Sequence, residues 1–126
     1  MILADTTVWI DHFRAHNPNL QSLLQIGSIA MHPFVAAEVA LGLLRNRQRT
    51  LAELDCLVQV PVARTSEVRL LIEAQSLYSK GIGLTDAHLV AFCLIAAGTM
   101  LWTRDIRLKK VAQWLGIDAY LGVCRS

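Results

Sequence analysis

Charge is scarce in this chain. Only 17% of its 126 residues are charged, against 54% that are hydrophobic. That balance excludes a disordered or charge-extended protein and describes a globule richer in apolar residues than most. Cysteine is scarcer still. Cys56, Cys93 and Cys124 are odd in number, widely spaced and without a C-x-x-C pair, which argues against a disulfide framework or a cysteine zinc site. All three sit among apolar neighbours and are expected to be buried, inert thiols, with a reducing cytoplasm as the default compartment. The start, MILADTTVWIDHF, lacks the positive region of a signal peptide. The longest uncharged apolar run, Leu89 to Trp102, is too short to cross a bilayer, so no membrane role is expected. Repeats, low-complexity tracts and linkers are missing too. At this length the chain reads as one domain, 1–126, able to bury a core without metal or disulfide.

Net charge is +2 and the isoelectric point about 8.6, short of the strong basicity of an obvious nucleic-acid binder. The cations are clustered, however: Arg45, Arg47 and Arg49 at one point, and Arg104, Arg107, Lys109 and Lys110 at another. Such runs are either solvated helix faces or a rim that contacts phosphates.

What the chain does have is an alternation of short apolar runs with helical spacing. Met1–Ala4 reads as a buried strand and Thr7–Arg14 as a helix ended at Asn17-Pro18. A short helix over Leu20–Gln25 and a strand over Ser28–His32 follow. Pro33 opens a helix expected to run through FVAAEVALGLLRN. Thr50–Leu57 reads as a helix, Val58–Ala63 as an edge strand because of Pro61, and Ser66–Tyr78 as a capped helix. After the loop Lys80–Gly83, Asp86 is expected to start a helix closed by Gly98. Thr99–Thr103 is then a strand, Asp105 opens a last helix closed by Gly116, and Ala119–Val123 is a candidate final strand. The order implies an α/β fold with a parallel sheet of four or five short strands, covered on both faces, whose ligands bind at the carboxyl ends of the strands.

Of ten acidic residues, Asp5, Asp86 and Asp105 fall where a helix begins just after a strand or glycine loop. Glu38 is the only charge in an apolar helix. Each aspartate has a plain alternative as a helix cap. Glu38 is harder to place, because an unpartnered carboxylate among Val35, Ala37, Val39 and Leu41 is costly to bury. Brought together, the four would repel, each pair at about 4 Å by roughly 4 kcal/mol at an intermediate dielectric. A hard divalent cation, Mg²⁺ or Mn²⁺, removes that repulsion. It also activates water against a phosphodiester with no His, Ser or Cys nucleophile. Thr7 and Thr103, two residues from Asp5 and Asp105, carry hydroxyls able to orient a carboxylate or a water at a metal; simple β-branched packing is the alternative. His32 and His88 are expected to pack or to lie at the surface rather than to ligate a metal. Asp11 is read as a surface acid, and the glycines at 81 and 83 as a loop rather than a dinucleotide fingerprint. Trp9, Trp102 and Trp114 all lie in apolar runs and are expected in the core.

DTTVWID, the isolated Glu38, TDAHLVA, and WTRD followed by a basic helix together resemble the PIN-domain family, and within it the VapC toxins of type II toxin–antitoxin modules. The resemblance covers nearly the whole chain and rests on the ordered set, no single motif being specific. It implies a three-layer α/β/α domain and a Mg²⁺-dependent endoribonuclease that cuts structured RNA such as tRNA or rRNA loops. The implied assembly is a homodimer, inhibited by a cognate VapB-type antitoxin and forming a higher assembly with it. The family's catalytic metal ligands map onto Asp5, Glu38, Asp86 and Asp105, and its small hydroxyl near the last acid onto Thr103. Arg45, Arg47, Arg104 and Arg107 are the candidate RNA contacts. The competing readings are a non-catalytic RNA-binding or scaffold domain of the same fold, which would lack one or more acids, and a phosphoryl-transfer signalling domain. The latter needs a second acid beside Asp5, and the sequence has none there.

Overall fold

The first strand, β1 (Ile2–Ala4), is flanked in the sheet by β2 (Ile29–Met31) and β4 (Met100–Trp102), with β3 (Val58–Gln59) outside β2. A computed structural model of the protein describes residues 1–121. All pairings are parallel, with Leu3 opposite Ala30 and Leu101, and the order is β3-β2-β1-β4. Strands β1, β2 and β4, short and apolar, are suited to a sheet buried on both faces, whereas both residues of the edge strand β3 are exposed. Leu3, Ala4, Ala30, Met31, Leu101 and Trp102 are all buried.

Seven helices among the described residues make this a three-layer α/β/α fold: α1 (Thr6–Ala15), α2 (Pro18–Gln25), α3 (Pro33–Ala40), α4 (Arg47–Asp55), α5 (Thr65–Ala74), α6 (Leu84–Ile95) and α7 (Ile106–Leu115). None is long and apolar enough to cross a membrane. The β-to-α junctions after β1, β2 and β4 are tight. Asp5 caps α1 directly after β1, and Asp105 caps α7 three residues after β4. The strand order reverses at β1, between β2 and β4. In an open parallel sheet that switch leaves a crevice at the carboxyl ends of the two diverging strands, and Asp5 and Thr103 stand there.

Several boundaries differ from the sequence reading. The helix at Pro33 stops at Ala40 rather than running to Asn46. Asn46 adopts a left-handed backbone, and the Arg47 side chain donates to the carbonyls of Ala40 and Gly42, which closes the helix early and starts α4 at Arg47. Helix α5 likewise ends at Ala74, short of Tyr78. Helix α6 begins two residues before Asp86, capped by Gly83. The candidate fifth strand is reduced to one parallel bridge, Leu101 to Asp118; positions 122 and 123 of that stretch lie outside the described residues. Asp118 is buried and takes both its oxygens to the Lys109 ammonium, at 3.1 and 3.2 Å.

The cysteines and tryptophans also divide. Cys93 is buried and its thiol is pushed up to about 12 by desolvation, as an inert core thiol should be. Cys56 is exposed, against expectation, and Cys124 lies outside the described residues. Trp9 and Trp102 are in the core, but Trp114 is 58% exposed near the end of α7. It is exposed despite its apolar run, because on a helix an apolar neighbour in sequence points elsewhere.

Candidate active site

Asp5 leaves β1 with its backbone N–H bonded to the carbonyl of Trp102, so the carboxyl ends of β1 and β4 are tied at this point. Its side chain is 3% exposed and fully engaged. Oδ1 accepts from the Val8 N–H, the N-cap bond of α1, and from the Thr7 hydroxyl; Oδ2 accepts from the Thr103 hydroxyl. The two threonines do more than donate. Thr7 Oγ1 accepts the Arg104 N–H at 2.9 Å, and Thr103 Oγ1 accepts the Asp105 N–H at 3.0 Å. The turn after β4 is thereby bonded to Asp5 through two hydroxyls, which fixes both the carboxylate and the start of α7. Burial raises the Asp5 pKa, and the hydrogen bonds from Thr103, Thr7 and Val8 oppose that rise by favouring the charged form.

The other three acids are held more lightly. Asp105 caps α7 through Oδ1, which accepts from Arg107 N and Leu108 N. Asp86 is the third residue of α6 and reaches back to the Gly83 N–H with Oδ2, at 3.3 Å. This is the acidic half of a capping box, favoured by the positive end of the helix. Glu38 is exposed, and Oε1 accepts the Thr6 hydroxyl at 2.6 Å. The expectation that burial would force a partner on Glu38 is therefore corrected: the carboxylate emerges from the apolar helix into solvent, over the start of α1. Among the described residues, one oxygen of each of these three acids accepts no hydrogen bond.

The four carboxylates share one electrostatic neighbourhood. The Asp86 carboxyl is pushed up to about 6, mainly by burial, and the charges of Asp5, Asp105 and Glu38 add to the rise against the Gly83 hydrogen bond. None of the four makes an ion pair among the described residues. Nor do any three acidic, histidine or cysteine side chains there close up tightly enough to cage an ion unaided. The donor set nevertheless fits a hard cation. It is all oxygen, it repels itself, and Mg²⁺ commonly takes only one or two carboxylates with waters and phosphate oxygens completing the shell. A loose ring of acids, three of them with an uncommitted oxygen, is suited to that arrangement.

The basic candidates separate by what they already bind. Arg104 pairs with Asp11 at 3.6 Å. Lys109 is committed to Asp118. Arg47 closes the end of α3, and Arg45 is exposed in the turn before it. Arg107 is exposed and makes no ion pair among the described residues. Its side chain lies across Gly81, where an added Cβ would fall 2.6 Å from Arg107 Cδ. His32 and His88 are buried, with ring centres 5.9 Å apart, and both pack edge-on against the half-buried Phe34.

A family model described as "PIN domain" matches residues 2–113. The chain is 40% identical over 117 residues to "Ribonuclease VapC32" of Mycobacterium tuberculosis, in strains CDC 1551 / Oshkosh and ATCC 25618 / H37Rv. Each alignment covers 93% of this chain and 94% of the relative.

Proposed function

The chain belongs to the PIN-domain family, and from that premise we propose that it is a Mg²⁺-dependent endoribonuclease, the toxin of a type II toxin–antitoxin pair. In this reading it cleaves structured RNA at tRNA or rRNA loops and is neutralised by a VapB-type antitoxin. Mn²⁺ is an alternative ion. The observation that carries the reading is the placing of four carboxylates near the carboxyl edge of the sheet, Asp5, Asp86 and Asp105 at helix N-termini and Glu38 bonded to Thr6 at the start of α1, with no cation paired to any of them among the described residues. The similarity to a ribonuclease over most of both chains points the same way.

Asp5, Glu38, Asp86 and Asp105 would hold the metal. When bound, a divalent cation there lowers the pKa of water and stabilises charge on the oxygens of a phosphodiester. Asp5 is the anchor, because Thr7 and Thr103 fix both of its oxygens. Asp105 and Asp86 stand at helix N-termini, whose partial positive charge eases the approach of a substrate phosphate. Arg45, Arg47, Arg104 and Arg107 are proposed to contact the RNA backbone. Just past the end of α3, Leu41 and Leu43 are exposed, as is Phe13 on α1, which lines one groove with Leu43. That apolar face supports a protein partner, either the antitoxin or a second copy in a homodimer.

The test is cleavage of RNA from the protein's own host, with Mg²⁺ and with EDTA. Wild type is expected to cut only with the ion, and Asp5→Ala to lose cleavage while unfolding cooperatively in urea. Undiminished cleavage by Asp5→Ala overturns the role of Asp5. Absence of any cleavage by wild type in Mg²⁺ or Mn²⁺ favours the non-catalytic RNA-binding or scaffold reading.

A further inference from the structure

A cavity of about 610 Å³ lies between the loop 79–81 and α7, lined by Lys80, Gly81, Arg107, Lys110, Val111 and Trp114 among others. Four of these, at 107, 110, 111 and 114, are spaced as one stripe of the helix. Its lining contains three cations and no acid. Trp114 stands exposed, with the Lys80 ammonium 5.0 Å from its ring centre.

We propose that this cavity binds one nucleotide of single-stranded RNA flanking the scissile phosphate, its base stacked on Trp114 and its phosphate among Arg107, Lys110 and Lys80. Two kinds of observation converge on it. An exposed indole in a lining with three cations and no acid combines the two elements by which proteins hold single strands without reading their sequence. The walls are also the elements that carry the acids. Helix α7 is capped by Asp105, whose Oδ1 accepts the Arg107 N–H. The loop leads through Ile82 to Gly83, whose N–H bonds Asp86. Trp114 is nine residues along α7 from Asp105, about 13 Å of rise, so a strand that leaves the acids over Arg107 and follows the 107–110–111–114 stripe reaches it along the helix. Gly81 is part of the same device, because a side chain there would collide with Arg107 and its backbone lies at a φ of +78°. The inference rests on the ribonuclease reading for the identity of the strand, but the binding can be measured without cleavage.

Trp9 and Trp102 are buried, so quenching of tryptophan emission by a stacked base reports on Trp114. The probe is a short oligouridylate with a fluorescent end label, added in EDTA. Wild type is expected to quench and to bind. Trp114→Ala is expected to weaken binding about tenfold, the loss of one stacked base, with the salt dependence unchanged. Lys110→Ala is expected to flatten the slope of log affinity against log salt by about 0.7, one single-strand phosphate. Arg69→Ala, an exposed cation on α5 away from the cavity, controls for net charge. Affinities of Trp114→Ala and Lys110→Ala equal to that of Arg69→Ala overturn the proposal. So do variants that bind the probe normally yet lose affinity for the antitoxin, which would make the cavity a protein-docking site. The two readings fail separately. Wild type that cleaves RNA while the cavity variants bind and cleave unchanged removes the cavity alone. Wild type that binds through Trp114 but never cleaves removes the nuclease and leaves the cavity.

Discussion

The Thr103 hydroxyl donates to Oδ2 of Asp5 across 98 positions of chain while accepting the backbone N–H of Asp105. One oxygen thus sets the carboxylate at the end of β1 and the first turn of α7. Thr103→Val keeps the shape and removes both bonds. It leaves a buried carboxylate oxygen and a backbone N–H without partners, at a cost on the order of 1–3 kcal/mol. Cleavage is expected to fall about 10–100-fold, the usual effect of losing a group that orients a metal ligand. Thr103→Ser should restore most of both. Urea unfolding and initial cleavage rates decide it; full activity in the valine variant would show that Asp5 needs no such orientation.

Asp86 is charged at a disadvantage, because burial and three neighbouring carboxylates work against it. Asp86→Asn removes the charge and keeps an oxygen for the Gly83 N–H. The metal-free variant is expected to be more stable than wild type by about 1 kcal/mol, a figure discounted because the side chain is partly exposed. Mg²⁺ should reverse the ranking. An ion that binds only the folded protein adds about 2.7 kcal/mol at a hundred times its dissociation constant, and the variant should gain much less. Thermal melts with EDTA and with Mg²⁺ measure both. Equal stabilisation of the two proteins by Mg²⁺ would remove Asp86 from the ligand set.

His32 predicts a pH effect of its own. Its ring is buried, its Nδ1 accepts the Phe34 N–H, and its pKa is lowered to about 4, chiefly by desolvation and then by His88. The folded state therefore resists a proton that the unfolded state takes up at its ordinary 6.5. Between pH 6.5 and about 4 the unfolded chain binds more protons, so stability is full above that window and falls as pH drops through it, by up to about 3 kcal/mol. Asp5 and Asp86 have raised pKa values and act in the opposite sense, so the total curve mixes them. His32→Asn keeps an N-cap acceptor for α3 and removes this titration alone. The stability difference between wild type and the variant should shrink as pH falls from 6.5 to 4. A difference that is flat with pH would mean that His32 protonates freely in the folded protein.

Much of this was legible in the chain because parallel α/β folds write themselves plainly. Strands buried on both faces are continuous apolar runs, and three of the four, at Ile2, Ile29 and Met100, stand where such runs occur. Asp5 and Asp105 could be placed because they follow a strand and precede a helix. What could not be read is orientation around a helix. Glu38 and Trp114 both sit among apolar neighbours, yet both point to solvent. Composition in a window does not say which residue faces out when the helix is eight or ten residues long. The end of α3 departs from the sequence pattern for a related reason: propensity favours continuation through Leu43 and Leu44, and the Arg47 side chain, reaching back five and seven residues to the carbonyls of Gly42 and Ala40, ends it. The cations show the same limit. Sequence grouped Arg104, Arg107, Lys109 and Lys110, whereas space gives two of them to Asp11 and Asp118 and turns the other two toward Trp114.

Arg47 carries the last prediction, because it has a structural task beside its proposed one. Its guanidinium donates to the carbonyls of Ala40 and Gly42, with 3.1 Å to the latter, at the end of α3, where backbone oxygens have no partner within the helix. A planar fork can bridge two carbonyls; an ammonium is a point donor. Arg47→Lys should therefore retain the charge and lose the bridge, costing about 1 kcal/mol for an exposed pair of bonds. Its RNA affinity should stay close to wild type. Arg47→Ala should lose the same stability and, if the side chain also meets a phosphate, flatten the salt dependence of RNA binding by about 0.7. Denaturant melts of both variants, paired with binding titrations at several salt concentrations, separate the two tasks. A lysine variant as stable as wild type would show that the turn between α3 and α4 is held by Asn46 and Gly42 alone.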